Sequence, residues 1–180
     1  MVFHAVPMTL EHATAILKWT YPFPYDFYNT EVSDEAYAEL LDGSYQAVVD
    51  QEQLVGFFCT GRSAQVPAGL PLGLYADDCL DLGLGRHPDV TGQGTGFAFC
   101  SFVLETVKTE SSLPIRLTVA TFNERAIHLY EQLGFRRQTT FSTTHATFLV
   151  MTQSQPLPLI SFFRLAMFRR LQRASPGLSC

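Results

Sequence analysis

Residues 81–96 read DLGLGRHPDVTGQGTG, and this stretch decides what fold the rest of the chain is expected to build. It predicts a strand, a short polar turn and three alternating glycines, followed by an apolar helix that starts near Phe97. Glycine leaves backbone N–H groups uncovered, and a helix N-terminus adds unpaired donors and partial positive charge. The stretch therefore predicts a pocket for a phosphate or pyrophosphate group.

Two well-known phosphate loops do not fit this stretch. A Walker A loop ends in Gly-Lys-Ser/Thr, but here Gly96 is followed by Phe97. A dinucleotide fingerprint, G-x-G-x-x-G, requires a third glycine where this sequence has Phe97 or Phe99. A third kind of glycine-rich loop has to be considered, and a second segment helps to identify it.

The second segment, residues 116–135, reads RLTVATFNERAIHLYEQLGF. Alternating β-forming residues through Ala120 predict a strand, and Asn123 is a favourable N-cap for the helix that follows. Gly134 is predicted to end that helix as its C′ residue. Tyr130 follows Asn123 by about two helical turns, so both side chains are expected on one side of the helix.

Both segments resemble motifs of the GNAT acetyltransferase superfamily. Its pyrophosphate loop, Arg/Gln-x-x-Gly-x-Gly/Ala, lies between a strand and a long helix, and Gly94 and Gly96 match the two small positions. The second segment resembles the superfamily's Asn-x-x-Ala-x-x-x-Tyr-x-x-x-Gly-Phe. Thr91 departs from the pattern, since Arg or Gln usually stands there, and weaker coenzyme binding is expected from that change.

The resemblance implies a mixed α/β fold in which helices flank a central, twisted, mostly antiparallel sheet. The sequence predicts the order β-α-α-β-β-β-α-β-α-β-β over one domain, residues 1–152, followed by a basic amphipathic extension, residues 153–180. The predicted elements include a strand over 1–7, helices capped by Thr9 and Ser33, a hairpin of 45–49 with 54–60, a strand over 79–85, and the last strands within 141–151.

The resemblance also implies acetyl-CoA as cosubstrate and assigns residues to it. The strand before the loop is expected to diverge from its neighbour, so that a backbone N–H near Leu84 polarises the thioester carbonyl. Tyr130 is expected to give its phenolic proton to the departing sulfur, and Asn123 to contact the pantetheine arm or the adenine side. The pyrophosphate is assigned to the loop residues Gly92, Gln93, Gly94, Thr95 and Gly96.

The general base is less well defined by the sequence. Asp81 has the best predicted position, because it lies inside the strand that should border the reacting carbon. Asp77 and Asp78 at the start of that strand, and His87 at its exit, are alternatives. A neutral amine would need no strong base.

Residues 19–29, WTYPFPYDFYN, contain the only tryptophan and five other aromatic residues. They follow the first predicted helix, where the resembled fold places the wall for the acceptor, and they resemble a signature of a poorly characterised bacterial GNAT subgroup. The alternating prolines are expected to keep the run extended. The residues assigned to acceptor binding are Trp19, Tyr21, Tyr25, Asp26 and Tyr28, the alternative being that the aromatics only cover a sheet edge.

Composition limits the classes of function. With 180 residues, 47% of them hydrophobic, the chain can build one full core. The acidic residues all lie before Pro156, which argues against nucleic acid as a partner. The four cysteines show no metal-binding spacing and the first residues show no signal peptide, so a metal-free protein of the cytoplasm is expected.

The segment from Pro156 to Cys180 combines apolar residues with four arginines. It is too short and too charged to span a bilayer, and packing on the domain or homodimerisation is favoured over membrane binding. The expected function is direct acetyl transfer from acetyl-CoA to a small-molecule primary amine. Two alternatives are a coenzyme-binding sensor without catalysis and a protein that docks to a partner or membrane through this segment.

Overall fold

Seven strands form a single sheet with four α-helices packed around it in the computed structural model, which describes residues 1–154. The predicted 153–180 extension lies outside the described residues from position 155 onwards. The strands are β1 (Phe3–Pro7), β2 (Tyr45–Asp50), β3 (Gln53–Thr60), β4 (Leu80–Arg86), β5 (Ile115–Ala120), β6 (Arg136–Ser142) and β7 (Thr147–Gln153). The helices are α1 (Leu10–Ile16), α2 (Asp34–Leu40), α3 (Gly96–Glu110) and α4 (Glu124–Gln132).

The sheet has the order β1-β2-β3-β4-β5-β7-β6, and this confirms the predicted mixed, mostly antiparallel class. Among the described strands, only β4 and β5 are parallel neighbours. The order of strands and α-helices along the chain is also as predicted. One boundary was wrong, because β6 begins at Arg136, several residues before the predicted start. Its first five residues are polar and exposed, so they carry no hydrophobic alternation.

Local chemistry begins three of the helices where the sequence predicts. The side chains of Thr9, Ser33 and Asn123 each accept a hydrogen bond from the backbone N–H three residues ahead. These bonds satisfy donors that the first helical turn leaves unpaired. The cap at Asn123 begins α4 shortly after β5 ends at Ala120.

The core is divided by the sheet. The α3 and α4 helices contribute Phe99, Val103 and Ile127 to the larger cluster, while α1 and α2 pack Ile16 and Leu40 in a second one. No helix within residues 1–154 is long and apolar enough to cross a membrane. The candidate site lies beyond Asp81, where β4 and β5 stop pairing.

Candidate active site

The β4 and β5 strands are paired over only a short length. Two residue pairs join them, Leu80 with Ile115 and Asp81 with Arg116, and beyond these the strands diverge. The resulting gap holds a cavity of about 270 Å³, bordered by 82–85 on one strand and 117–119 on the other. We call this space the acceptor cavity. The divergence expected from the family resemblance is therefore present.

Leu84 directs its backbone N–H into the gap. The N–H of His87 donates to the carbonyl of Val55 at 3.0 Å, which shows that this N–H faces β3. Because N–H groups alternate sides along a strand, the N–H of Leu84, three residues earlier, faces away from β3 and towards the diverging β5. A donor in this position can bond a carbonyl oxygen that enters between the strands.

A second cavity, of about 440 Å³, lies between the glycine loop, the start of α3 and the side of α4. We call it the coenzyme cavity. Gly92 and Gly94 line it with φ of +76° and +75°, a backbone conformation that favours glycine. A Cβ atom at Gly94 would meet nothing within 4 Å, so this loop leaves its backbone open on that side.

The start of α3 adds free donors to this cavity. Thr95 occupies the N-cap position, yet its side chain makes no capping hydrogen bond within the described residues. Its hydroxyl instead accepts a hydrogen bond from Nη2 of Arg86 at 3.0 Å. Gln93 likewise supports the loop, since its Nε2 donates to the carbonyl of Asp89 at 2.7 Å. Gln93 and Thr95 thus shape the loop, while Gly92, Gly94 and Gly96 line the coenzyme cavity.

Two arginines that the sequence analysis did not single out complete the coenzyme cavity. The Arg86 guanidinium lies over the Phe99 ring at 5.1 Å, and burial lowers its pKa from the usual value. Its buried Nε has no hydrogen-bond partner among the residues that the structure describes. Arg125 lies over the Tyr25 ring at 4.8 Å, with Nη1 3.5 Å from where a Cβ of Gly92 would be. Both cations line a cavity that has no Asp or Glu among its described lining residues.

Tyr130 lies where the two cavities meet. Its side chain is 8% exposed and lines both cavities, and burial raises the pKa of the phenol well above its ordinary value. No group within residues 1–154 hydrogen-bonds its hydroxyl. Asn123 also lines both cavities, and its Nδ2 donates to the Tyr28 hydroxyl at 3.3 Å. The two residues that the sequence placed on one side of α4 therefore do face the same space.

The aromatic segment forms one wall of the acceptor cavity. The segment members lining it are Trp19, Tyr21, Tyr25 and Tyr28, while Asp26 is exposed and lies outside the wall. The Tyr21 hydroxyl donates to the backbone carbonyl of Arg86 at 2.8 Å, and burial raises its pKa to about 12. The run is not fully extended as predicted, because residues Tyr25–Tyr28 form a 3-10 turn.

Asp81 is placed differently from the expectation that it serves as a base. It is 4% exposed, and its carboxylate accepts hydrogen bonds from Arg116 Nε at 2.6 Å, Arg116 Nη2 at 3.0 Å and Gln65 Nε2 at 2.6 Å. Asp81 lies before the point where the strands diverge, and it is not a lining residue of either cavity. Its geometry is that of a buried ion pair that joins β4 to β5.

The alternative bases are also outside the cavity walls. Asp77 and Asp78 are exposed before β4. His87 packs against the Trp19 ring at 5.1 Å, and its Nδ1 accepts from the backbone N–H of Asp89 at 3.2 Å. Within the described part of the chain, no three His, Cys, Asp or Glu side chains come close enough to hold a metal ion.

Comparison with known proteins agrees with this geometry. Residues 11–135 match the model of the acetyltransferase (GNAT) family. No curated protein is a significant sequence match. Among solved structures, the aminoglycoside acetyltransferase AAC(6')-Ib in complex with ribostamycin and coenzyme A is similar, with a TM-score of 0.68, 15% identity, and 86% of this chain and 94% of that chain covered.

Two further structures show the same fold. The ribosomal-protein-S18-alanine N-acetyltransferase from Escherichia coli has a TM-score of 0.59 and 19% identity, covering 86% of this chain and 96% of that chain. A chimera of spermidine N-acetyltransferase SpeG from Vibrio cholerae and hSSAT has a TM-score of 0.60 and 19% identity, covering 85% of this chain and 95% of that chain. At these identities the structures establish the fold, while the family match, over more than half of the chain, establishes the family. The chain belongs to the GNAT acetyltransferase family.

Proposed function

We propose that this enzyme transfers the acetyl group of acetyl-CoA directly to a primary amine of a small molecule. The observation that carries the proposal is the meeting of the two cavities beside Leu84 and Tyr130. One cavity offers backbone donors and two cations, and the other offers an aromatic wall. A thioester that enters from the first cavity would therefore meet an acceptor held in the second.

The residues of the coenzyme cavity fit a pyrophosphate. Its two negative charges match the donors of the 92–96 loop and the uncapped start of α3. Arg86 and Arg125 supply positive charge from two other directions. Arg86 in particular gives this loop a cation, although Thr91 replaces the arginine or glutamine usual in the family pattern. Coenzyme binding is thus supported by a residue outside the motif.

The proposed reaction exchanges one bond for another. The lone pair of a neutral amine forms a C–N bond with the carbonyl carbon, and the C–S bond breaks with its electrons leaving on sulfur. The amine nitrogen loses one proton to solvent, the sulfur gains one from Tyr130, and Tyr130 then regains a proton from solvent. The products are an N-acetylated amine and free coenzyme A. During this exchange the Leu84 N–H would bond the carbonyl oxygen as negative charge develops there.

Tyr130 is suited to act as the proton donor. Burial raises the pKa of its phenol, so the hydroxyl stays protonated at neutral pH. Because Tyr130 and Leu84 both line the two cavities, the hydroxyl would be close to the sulfur of a coenzyme whose thioester bonds the Leu84 N–H. The same burial favours the neutral form of the departing thiol, which makes proton transfer to sulfur easier.

Direct transfer is favoured over transfer through a cysteine. Cys100 borders the coenzyme cavity, but burial raises the pKa of its thiol to about 12, which keeps it unreactive as a nucleophile at neutral pH. Cys59, Cys79 and Cys100 are all unpaired, as expected for a protein of the reducing cytoplasm, which is the localisation we propose.

The similar structures support an amine as acceptor. Their names describe acetylation of spermidine, of aminoglycosides and of an alanine in a ribosomal protein. These acceptors differ in size and charge but share an amino group. We extend only this shared chemistry to the present enzyme, together with the coenzyme named in the AAC(6')-Ib structures.

Calorimetric titration with acetyl-CoA, with ATP and NAD as controls, tests the proposal. We expect acetyl-CoA to bind selectively, and Gly94→Val to abolish that binding because a side chain would occupy the place of the phosphate. Gly73→Val is the matched control, since Gly73 has a similar φ of +71° and the same open surroundings but lies outside both cavities. Equal binding by both variants, or tighter binding of ATP or NAD, would contradict the assignment.

A further inference from the structure

The acceptor cavity has an unusual distribution of charge for a site that takes an amine. No Asp or Glu is among its lining residues within the described part of the chain. Among the described lining residues the single charged one is Arg125, whose guanidinium lies against Tyr25 beside the glycine loop. The rest of the wall is aromatic, aliphatic or neutral.

Five carboxylates are adjacent in sequence to residues of this wall, and none of them lines the cavity. Four are exposed and outside the cavity wall: Asp26, Glu31, Glu124 and Glu131. Asp81 is buried in its ion pair with Arg116 and has a further hydrogen bond from Gln65. An acceptor that carries an additional positive charge would therefore enter without an anionic partner.

Burial of an unpaired ammonium group is costly. A charged group that leaves water without a counter-ion loses its favourable solvation. An acceptor with one amino group avoids this cost, because it must lose its proton before it attacks the thioester. An acceptor with a second ammonium group would still carry a positive charge into the cavity after its reacting amine has lost its proton. The cavity should thus select against polycations.

The wall favours a flat apolar body. Trp19 is 8% exposed and its ring lies 5.9 Å from that of Phe57, while Tyr25 and Tyr28 line the same cavity. Aromatic walls of this kind bury planar rings through large contact areas and edge or face contacts. The cavity volume of about 270 Å³ also limits the acceptor to a small molecule.

We infer that the acceptor is a small primary amine whose body is aromatic or otherwise flat and apolar and which carries no second positive charge. This inference rests on the proposed acetyltransferase function and narrows it. It separates the enzyme from acceptors such as spermidine and ribostamycin, which are named for the similar structures.

The test compares acceptors that differ by one charge. Benzylamine and 4-(aminomethyl)benzylamine share a ring, and the second carries one more ammonium group; spermidine and ribostamycin extend the series. We expect kcat/KM, measured by thiol release at saturating acetyl-CoA, to be about 10-fold or more higher for benzylamine than for each of the others. Quenching of Trp19, the only tryptophan in the chain, should report benzylamine binding in the presence of coenzyme A, without turnover.

A pair of variants tests the cause of this selectivity. Thr30 lines the cavity from an exposed position, so Thr30→Glu adds a carboxylate without disturbing the core. We expect Thr30→Glu to raise kcat/KM for the diamine relative to benzylamine by about 3-fold, as expected for a charge pair that includes an exposed carboxylate. The nearly isosteric Thr30→Gln should leave the ratio as in the wild type.

The outcomes separate the two proposals. If the diamine, spermidine or ribostamycin is acetylated as well as benzylamine or better, the inference on acceptor class is overturned and the acetyltransferase function stands. If acetyl-CoA binds but none of these amines is acetylated, both proposals fail. An unchanged diamine ratio in Thr30→Glu would contradict the electrostatic cause.

Discussion

The two ends of the β4–β5 pair differ in what lies between the strands. At the closed end, Asp81 and Arg116 join the strands through a buried ion pair. At the open end, the strands diverge and leave Leu84 beside the acceptor cavity. The comparison teaches that an ion pair joins the strands at the closed end, whereas the described lining of the cavity at the open end is neutral except for Arg125. Mutations at the two ends should therefore have different consequences.

The largest effect is expected from breaking the closed end. Asp81→Ala would leave the Arg116 guanidinium buried without a counter-ion, and we expect the free energy of unfolding to fall by about 3–5 kcal/mol. Urea denaturation measures this change. Asp77→Ala, which removes an exposed carboxylate four residues earlier, should change stability by about 0.5 kcal/mol or less. Normal stability with lost turnover would instead make Asp81 a base.

A change at the open end should lower turnover without lowering the stability of the fold. Tyr130→Phe removes the proposed proton donor, and we expect kcat to fall by about 10²-fold with little change in the Kd for acetyl-CoA. Steady-state kinetics measures kcat, and calorimetry measures the Kd for acetyl-CoA. Tyr37→Phe, in which a tyrosine outside both cavities loses its hydroxyl, is the control. A normal rate in Tyr130→Phe would assign this residue to core packing with Phe135.

The coenzyme cavity can be probed through its unexpected cation. Arg86→Gln removes a positive charge beside the glycine loop, and we expect acetyl-CoA affinity to fall by about 10-fold and to depend less on salt. Calorimetry at two salt concentrations measures both effects. Arg62→Gln, outside both cavities, should leave binding unchanged. If both variants bind normally, Arg86 serves only to hold Thr95.

The smallest effect is expected from a change of pH. Burial raises the pKa of Tyr21 to about 12 and raises that of Tyr130 as well, so both phenols remain protonated through neutral and mildly alkaline pH. We expect kcat/KM to rise with pH until the acceptor amine is neutral. The midpoint should therefore shift between two benzylamines of different pKa. A midpoint that stays fixed between the two benzylamines would contradict this expectation and indicate a base that belongs to the protein.

Local chemistry made much of the fold predictable. Thr9, Ser33 and Asn123 cap helices because the signal lies within four residues of sequence. The glycine loop was predictable for the same reason. The partner of Asp81 was not, since Arg116 lies 35 residues away and only the register of β4 with β5 brings them together.

The candidate site shows the same division between local and distant signals. The loop glycines and Tyr130 belong to motifs, whereas Arg86 reaches the coenzyme cavity from the end of a strand by bonding Thr95. Asp26 was expected beside the aromatic wall because it is adjacent in sequence to Tyr25. The 3-10 turn over Tyr25–Tyr28 leaves it exposed outside that wall. Neither placement follows from residue spacing alone.

The orientation of Thr95 has a consequence for how this protein can evolve. A threonine that caps its helix contributes about 1 kcal/mol, and here the hydroxyl accepts a bond from Arg86 instead. The chain thus forgoes stability at the start of α3 and keeps that helix end free for an anionic ligand. Thr95→Asp would place a negative charge beside the start of α3, which the helix dipole favours but which would repel an anionic ligand. Under the proposed function, a gain in stability and a gain in activity would therefore require opposite changes at this residue.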